Sequence, residues 1–270
     1  MEMIMVLGSL NLFSLKFKRA LITGATGHLG TDMSQALAEA GATVILNGRN
    51  KDNLLKLHNK LKNNGLVSEI SCFDITKATE IIEFCNKEHE KPIDIIVNNA
   101  YHGGAGTIEY SSLAQFRESY ETGIVAVQNL VQSLLPNLRH AVVLHGGASV
   151  INIASMYGMV SPDLSIYDNP EVSNPPFYGA VKAALIQWTR YAACEFGKEK
   201  IRFNTISPGP FPNNSAIKNT KFIQKLTNKV PMKRIGKPYE LGGPLVFLAS
   251  EASSFVNGAN IVVDGGWTIK

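Results

Sequence analysis

Short apolar, β-branched runs alternate with longer stretches of helical periodicity along this chain. The apolar runs cover residues 19–23, 42–47, 69–73, 93–98, 149–154, 202–207 and 260–264. Helix-like stretches lie between them, at about 29–40, 50–64, 77–90, 113–136, 176–197 and 238–250. Continuous apolar strands separated by helices are typical of a parallel sheet that is covered on both faces. The pattern therefore predicts an α/β fold, a doubly wound parallel seven-stranded sheet with helices on both faces.

Three connections between these elements are unusually long, at residues 101–112, 156–176 and 208–235. Each follows the carboxyl end of a predicted strand, so all three should lie at the same edge of the sheet. Long loops gathered at that edge predict a ligand pocket. Surface insertions without a role are the alternative.

Composition narrows the class of protein. The chain has 270 residues, 45% apolar and 18% charged, which suits one large domain with a substantial core. A net charge of +4, dispersed along the chain, argues against a nucleic-acid partner. No stretch approaches the roughly 20 apolar residues of a membrane span, so we expect no membrane partner. Residues 1–15 are interpreted as an N-terminal extension and residues 16–270 as one catalytic domain.

The three cysteines, Cys72, Cys85 and Cys194, are odd in number and far apart. They form neither a disulfide framework nor a metal-ligand spacing, which favours a reducing compartment and hence a cytoplasmic protein without a bound metal.

The segment "LITGATGHLGTDM" joins the first strand to the first helix and carries Gly24, Gly27 and Gly30. Glycine permits positive φ and a close approach of the backbone to a pyrophosphate, and the helix amino terminus favours anions. In the context of strand, turn and helix, the spacing predicts a dinucleotide site.

The second strand ends in "ILNGRN", where dinucleotide folds often place an acidic residue on the ribose. Here Asn47 and Gly48 are uncharged and Arg49 follows. A guanidinium can bind a 2′-phosphate that a carboxylate would repel, which favours NADP over NAD. A solvated residue at a helix start is the alternative interpretation of Arg49.

Tyr178 and Lys182 stand four residues apart in "PPFYGAVKAALIQW", on one helix face. Bringing a tyrosine from its usual pKa near 10 to about 7 requires about 4 kcal/mol. An ammonium about 4 Å away supplies about that much at an effective dielectric near 20. The pair thus predicts a general acid/base, with a packed ring beside a snorkelling lysine as the alternative. Ser155, at the end of "SVINIA", could orient a substrate oxygen or could simply cap a turn.

Four further features accompany these motifs: Asp74 in "CFDITK", "NNA" at 98–100, "SPGP" at 207–210 and the ending "FVNGANIVVDGGW". In this order and spacing, the whole set resembles the short-chain dehydrogenase/reductase family over roughly residues 12–270. The resemblance implies a Rossmann-type domain in which Ser155, Tyr178 and Lys182 are catalytic, Lys182 lowers the pKa of Tyr178, and subunits form a homodimer or homotetramer. It also implies a set of cofactor-binding residues: Thr23, Gly24, Thr26, Gly27, His28, Leu29, Gly30, Arg49, Asp74, Ile75, Asn99, Ala100, Tyr178, Lys182, Pro208, Gly209 and Phe211.

Three departures from the family pattern stand out. His28 replaces a glycine of the simple members, and Gly27 takes its role. Gly123 stands where other members have an asparagine that completes a proton relay. The sequence therefore does not identify the group that exchanges the proton with solvent. Tyr101 and His102 follow "NNA" in place of a glycine and, with Tyr157, are predicted to line the substrate pocket; simple loop packing is the alternative for the first two.

The function predicted from these features is an NAD(P)-dependent oxidoreductase that transfers hydride between nicotinamide and a carbonyl or secondary alcohol. A small-molecule substrate of sugar or sugar-acid type is favoured over a steroid. Two alternatives stay open: a nucleotide-binding regulatory protein with impaired catalysis, suggested by Gly123, and an epimerase or dehydratase with a recycled cofactor, suggested by the glycine spacing. The lysines of residues 218–229 would form either a basic face toward an acidic substrate or a solvated surface.

Overall fold

A computed structural model describes residues 8–269 of the chain. Seven strands form one sheet in the order β3-β2-β1-β4-β5-β6-β7, and every neighbouring pair is parallel. The strands are β1 (Arg19–Ile22), β2 (Thr43–Gly48), β3 (Ser68–Cys72), β4 (Ile95–Asn98), β5 (Ala148–Ile153), β6 (Ile201–Pro208) and β7 (Asn260–Val263). The predicted doubly wound parallel sheet is confirmed.

Within residues 8–269, ten α-helices connect or follow these strands. They are α1 (Gly30–Glu39), α2 (Lys51–Asn63), α3 (Ala78–Lys87), α4 (Leu113–Tyr120), α5 (Ala126–Ser133), α6 (Leu135–His145), α7 (Pro176–Phe196), α8 (Asn214–Ile217), α9 (Thr220–Lys229) and α10 (Gly242–Ala249). One π-helical turn, Glu121–Val125, joins α4 to α5. Short 3₁₀ segments occupy parts of the long loops, including Met156–Gly158 directly after β5.

Alternation along the strands divides the core between the two faces of the sheet. Ala20 and Ile22 of β1 pack with α1, α2 and α10 on one face, whereas Leu21 packs on the other. The second face is covered by apolar residues of α3, α5, α6 and α7. Successive strand side chains point to opposite faces, so a sheet buried on both sides needs the continuous apolar runs seen in the sequence.

Local chemistry explains where several helices begin. The side chain of Asn50 accepts a hydrogen bond from the Asn53 amide at 2.9 Å and caps α2. Ser112 and Gln115 form a reciprocal capping box at the start of α4. Pro176 stands in the first turn of α7, where the missing amide hydrogen costs nothing.

The predicted helix over 113–136 is wrong in two respects. It contains the π-helical turn, and the helical path continues through α6 to His145. Pro136 lies in the first turn of α6, a position that tolerates proline, so it does not end the helical region. His140 and His145 both lie on α6.

The three long connections do follow the carboxyl ends of β4, β5 and β6.

Near the amino terminus, Leu15 of the predicted extension is fully buried in the core. Residues 1–7 lie outside the described part. The boundary between extension and domain stays a prediction. Among the described helices, none has the length and apolar character needed to cross a membrane.

Candidate active site

The glycine loop is tightly folded against the start of α1. Gly24 adopts φ +63°, a conformation that side chains disfavour. A Cβ on Gly30 would lie 2.2 Å from the carbonyl oxygen of Gly24. The loop therefore brings its own backbone, without side chains, to the amino terminus of α1, as binding of a pyrophosphate requires.

Hydrogen bonds join this loop to the end of β4. The Thr23 hydroxyl accepts from the backbone amides of Asn99 and Ala100, each at 3.0 Å. The Asn99 side-chain amide donates to the carbonyls of Thr23 and Gly24 at 3.0 and 3.1 Å. Thr23 is buried and shapes the loop through these hydrogen bonds, and its contact with a cofactor stays a prediction.

A cavity of about 820 Å³ opens beside this loop at the carboxyl edge of the sheet. Twelve residues predicted to bind cofactor or substrate line it: Gly24, Thr26, Gly27, His28, Leu29, Arg49, Asp74, Ile75, Asn99, Ala100, Tyr101 and His102. Further lining residues were not predicted as site residues: Asn47, Gly48, Asn50, Phe73, Thr76, Arg117, Glu118, Glu121 and Thr122. The last four lie on α4 and the π-helical turn, where their charges and polarity are indistinguishable from those of a solvated helix face.

Arg49 and Asp74 face each other at the rim of the cavity, with Nη1 and Oδ2 4.0 Å apart. Partial burial raises the pKa of Asp74, but hydrogen bonds from Thr76 and the charge of Arg49 outweigh it, so the pKa is lowered overall. The carboxylate is thus ionised at neutral pH. The Arg49 side chain is 67% exposed and free to turn toward a ligand phosphate.

His28 stands between Gly27 and Gly30 in the glycine loop, with its Nε2 atom buried and without a hydrogen-bond partner in the described structure. The glycine turn, the helix amino terminus, Arg49 and this unsatisfied nitrogen together fit an anionic dinucleotide. Their chemistry supplies backbone donors for a pyrophosphate and a guanidinium for a further phosphate.

The three predicted catalytic residues come together beyond this cavity, which they do not line. Ser155 follows β5, Tyr178 and Lys182 lie on α7, and the Ser155 hydroxyl is close enough to the Tyr178 phenol to favour its ionised form. The Ser155 oxygen also accepts from the Tyr157 amide at 3.1 Å, so it caps a turn as well. Lys182 Nζ donates to the Ile153 carbonyl at 2.7 Å and lies 5.8 Å from the centre of the Tyr178 ring.

Burial shifts the pKa values of Tyr178 and Lys182 in opposite directions. Burial raises the pKa of Tyr178, and the Ser155 hydroxyl offsets only part of that increase. Burial also lowers the pKa of Lys182 to about 7, so near neutral pH this amine is only partly charged. Desolvation acts against the charged form of each group, and the prediction that Lys182 lowers the pKa of Tyr178 stays a prediction.

The three residues predicted to line the substrate pocket lie in two different places. Tyr157 is buried beside Tyr178 in a cluster that includes Trp267, Leu226 and Ile166, and burial raises its pKa. Tyr101 and His102 instead line the large cavity. The phenol of Tyr101 is 2.8 Å from the Ser119 hydroxyl, and burial raises the pKa of Tyr101 to about 12.

The segment after β6 lies outside the cavity. Gly209 packs so closely on Asp264 that a Cβ would lie 2.5 Å from its Cα atom. Phe211 packs against Gly236 and the first core cluster. These contacts give Gly209 and Phe211 a packing role, and Pro208 is the last residue of β6, opposite Val263 of β7. The contact of all three residues with a cofactor stays a prediction.

Two of the lysines of residues 218–229, which the sequence leaves as either a basic face or a solvated surface, form ion pairs. Lys225 pairs with Asp168 at 3.2 Å, and Lys229 pairs with Asp163. Both pairs join α9 to the long loop after β5. Ion pairs of these two lysines therefore connect α9 to the loop after β5, a role that neither interpretation of the sequence included.

Comparison with known proteins decides the family. A family model described as enoyl-(acyl carrier protein) reductase matches residues 24–268. The chain belongs to the short-chain dehydrogenase/reductase family. It is 32% identical over 267 residues to gluconate 5-dehydrogenase of Gluconobacter oxydans, which covers 96% of this chain and 98% of the relative. It is 29% identical to 7alpha-hydroxysteroid dehydrogenase of Bacteroides fragilis, over 93% of this chain and 95% of the relative.

A solved member of the short-chain dehydrogenase/reductase family has the same fold. The gluconate 5-dehydrogenase from Burkholderia cenocepacia, in complex with NADP and tartrate, superposes with a TM-score of 0.86. It is 27% identical and covers 97% of this chain and 100% of its own. The predictions of a short-chain dehydrogenase/reductase and of an oxidoreductase are confirmed.

Proposed function

We propose that this protein is an NADP-dependent oxidoreductase that interconverts a carbonyl group and a secondary alcohol on a polar, sugar-acid-like substrate. The observation that carries the proposal is the convergence of Ser155, Tyr178 and Lys182 beside a glycine-lined dinucleotide cavity.

NADP is favoured over NAD by the rim of the cavity. Arg49 is exposed there, and β2 ends in Asn47 and Gly48 without an acidic residue. The Arg49 guanidinium faces the carboxylate of Asp74 across the rim. The crystal structure of the Burkholderia relative in complex with NADP supports this assignment. When bound, a nicotinamide supplies or accepts the hydride.

The chain's own groups handle the proton and orient the substrate. Ser155 donates a hydrogen bond to the substrate oxygen, and the Tyr178 phenol gives that oxygen a proton in reduction and removes it in oxidation. Lys182, held by the Ile153 carbonyl at 2.7 Å, places a titrating amine near the phenol. Because the pKa of Lys182 is about 7, this amine can exchange a proton at neutral pH.

The substrate class is supported by the relatives rather than by a charged pocket. Gluconate 5-dehydrogenase stands among them, as does a hydroxysteroid dehydrogenase. Beside Tyr178, the apolar side chains of Met156, Leu226 and Trp267 mix with the phenols of Tyr157 and Tyr167. A sugar acid would use the hydroxyl groups, whereas the apolar side chains favour a steroid as the second candidate.

The test is an absorbance assay of NADPH oxidation with a panel of keto-sugar acids, ketoses and hydroxysteroid ketones, repeated with NADH. We expect turnover of a keto-sugar acid with NADPH and at least about tenfold slower turnover with NADH. Turnover of steroids alone would replace the substrate class, and no turnover with any ketone would refute the oxidoreductase reaction proposed for this site. Cofactor that co-purifies without net oxidation would support the epimerase alternative.

We also propose a homotetramer in the cytoplasm. Apolar side chains are exposed on α4, the π-helical turn and α7, namely Leu113, Phe116, Val125 and Tyr191, and they support a contact between copies. The three cysteines are free, which supports a reducing compartment. Size-exclusion chromatography with light scattering tests the assembly.

A further inference from the structure

We infer that Tyr101 is a positioning residue for Lys182, whose ammonium it holds against the face of its ring. Lys182 Nζ lies 4.8 Å from the centre of the Tyr101 ring, closer than to the ring of Tyr178. This distance is within the range of a cation–π contact. The inference concerns the same site as the proposed function and rests on it only for its effect on turnover.

Lys182 has few other partners. Its side chain is buried, with 4% of the residue exposed, and its hydrogen bond in the described structure goes to the Ile153 carbonyl. Desolvation is the cause of its lowered pKa, and no described carboxylate forms an ion pair with it. The titratable groups that the structure places against the amine are phenols: Tyr178 on the same helix and Tyr101 after β4. The ring of Tyr101 thus supplies the electrostatic attraction that a carboxylate would otherwise provide.

Tyr101 itself is fixed at both ends. Its hydroxyl is 2.8 Å from Ser119 Oγ, and Ser119 is fully buried on α4. Its ring meets the Tyr178 ring edge-on, with centres 5.1 Å apart at 67°. A ring held by its hydroxyl and by an aromatic neighbour offers a rigid face, and that is what places a flexible lysine chain.

Gly123 makes room for this arrangement. A Cβ at residue 123 would lie 2.7 Å from Val181 on α7 and 3.5 Å from Cδ2 of Tyr101. A larger side chain would therefore meet both α7 and the Tyr101 ring. Tyr101 and Gly123, two of the departures noted in the sequence, are thus linked in space: the ring occupies the region toward which a side chain at residue 123 would project.

The direct test is an NMR titration of the protein labelled with ¹³C at Cε of lysine, with the Lys182 signal assigned from the Lys182→Arg variant. In the wild type we expect the Lys182 Hε protons to be shifted upfield by the ring. Absence of that shift would overturn the inference without any Tyr101 variant.

Two substitutions separate the ring from its hydroxyl. Tyr101→Phe keeps the ring, and we expect the upfield shift and the titration of Lys182 to persist. Tyr101→Leu keeps apolar volume but removes the face that favours the ammonium, so the upfield shift should vanish and the pKa of Lys182 should fall by about one further unit. Tyr110→Leu, an exposed change in the same loop, is the matched control and should leave both unchanged. An unaltered Lys182 signal in folded Tyr101→Leu would contradict the positioning role.

Kinetics supply a second measurement once a substrate is known. Tyr101→Leu should lower kcat about tenfold with little change in KM and move the pH profile, whereas Tyr101→Phe should restore both. Equal loss in both variants would point to the hydroxyl and refute the ring contact. The NMR result does not depend on any substrate, so failure of the proposed function and failure of this inference are distinguishable.

Discussion

Replacement of Gly30 by alanine tests the geometry of the glycine loop. The added Cβ would lie 2.2 Å from the Gly24 carbonyl oxygen and 3.0 Å from the carbonyl carbon and oxygen of Ala25. All three are backbone atoms, so the first turn of α1 or the loop must move by at least about 1.2 Å to bring the 2.2 Å contact to the ordinary distance of 3.4 Å. Overpacking of this kind costs about 1–3 kcal/mol of unfolding free energy.

For a chain of this size, that cost lowers Tm by roughly 2–10 °C. The same displacement moves the backbone amides of the loop, so we expect NADPH affinity to fall at least about tenfold. Thermal unfolding followed by circular dichroism, and fluorescence titration with NADPH, measure the two effects separately.

Gly243→Ala is the matched control, because a Cβ there meets no atom within 4 Å and Gly243 lies on α10. That change should stabilise the protein by up to about 1 kcal/mol, since alanine favours helix over glycine, and should leave NADPH affinity unchanged. If Gly30→Ala matched the wild type in both Tm and affinity, the close approach of loop and helix would be refuted.

Three other substitutions test the cavity rim at Arg49, the buried amine of Lys182 and the ion pair of Lys229. Arg49→Ala should weaken NADPH about tenfold and leave NADH unchanged in fluorescence titrations, because an exposed guanidinium contributes at the low end of charge-assisted hydrogen bonds; equal loss of both cofactors would contradict its role. Burial lowers the pKa of Lys182 from 10.5 to about 7, so between these values the unfolded chain binds more protons and stability rises with pH. Lys182→Met should therefore raise the unfolding free energy at pH 6 by a few kcal/mol and flatten that rise in urea titrations, and an unchanged slope would argue against a buried, titrating amine. Lys229→Ala removes the ion pair with Asp163 and should raise KM about two- to fivefold at low salt and not at 1 M salt, whereas a salt-independent effect would exclude the ion pair as its cause.

The fold and the glycine loop could be predicted from the sequence, because both follow from the local pattern of residues. Continuous apolar strands between helices predicted the parallel sheet, and Gly24, Gly27 and Gly30 stand where a turn must bring backbone next to a helix start. Ser155, Tyr178 and Lys182 were also identifiable, because strand ends and i, i+4 helix positions fix where such residues gather.

Other features depend on packing that the sequence does not display. The rise in the pKa of Tyr178 depends on burial, and burial also lowers the pKa of the neighbouring Lys182 amine. The helical region extends beyond the predicted end at residue 136, because Pro136 lies in the first turn of α6, where proline is tolerated. The contact of Tyr101 with Lys182 joins residues 81 positions apart and requires the close approach of α7 to Gly123.

The oxidoreductase assignment is tested most directly by single-turnover oxidation of bound NADPH in Tyr178→Phe. The ring and its packing remain, so NADPH should bind with wild-type affinity, while loss of the proton donor should slow the hydride transfer at least about a hundredfold at every pH. A Tyr178→Phe protein that oxidises NADPH at close to the wild-type rate, with the same substrate, would show that this phenol is not the acid of the reaction.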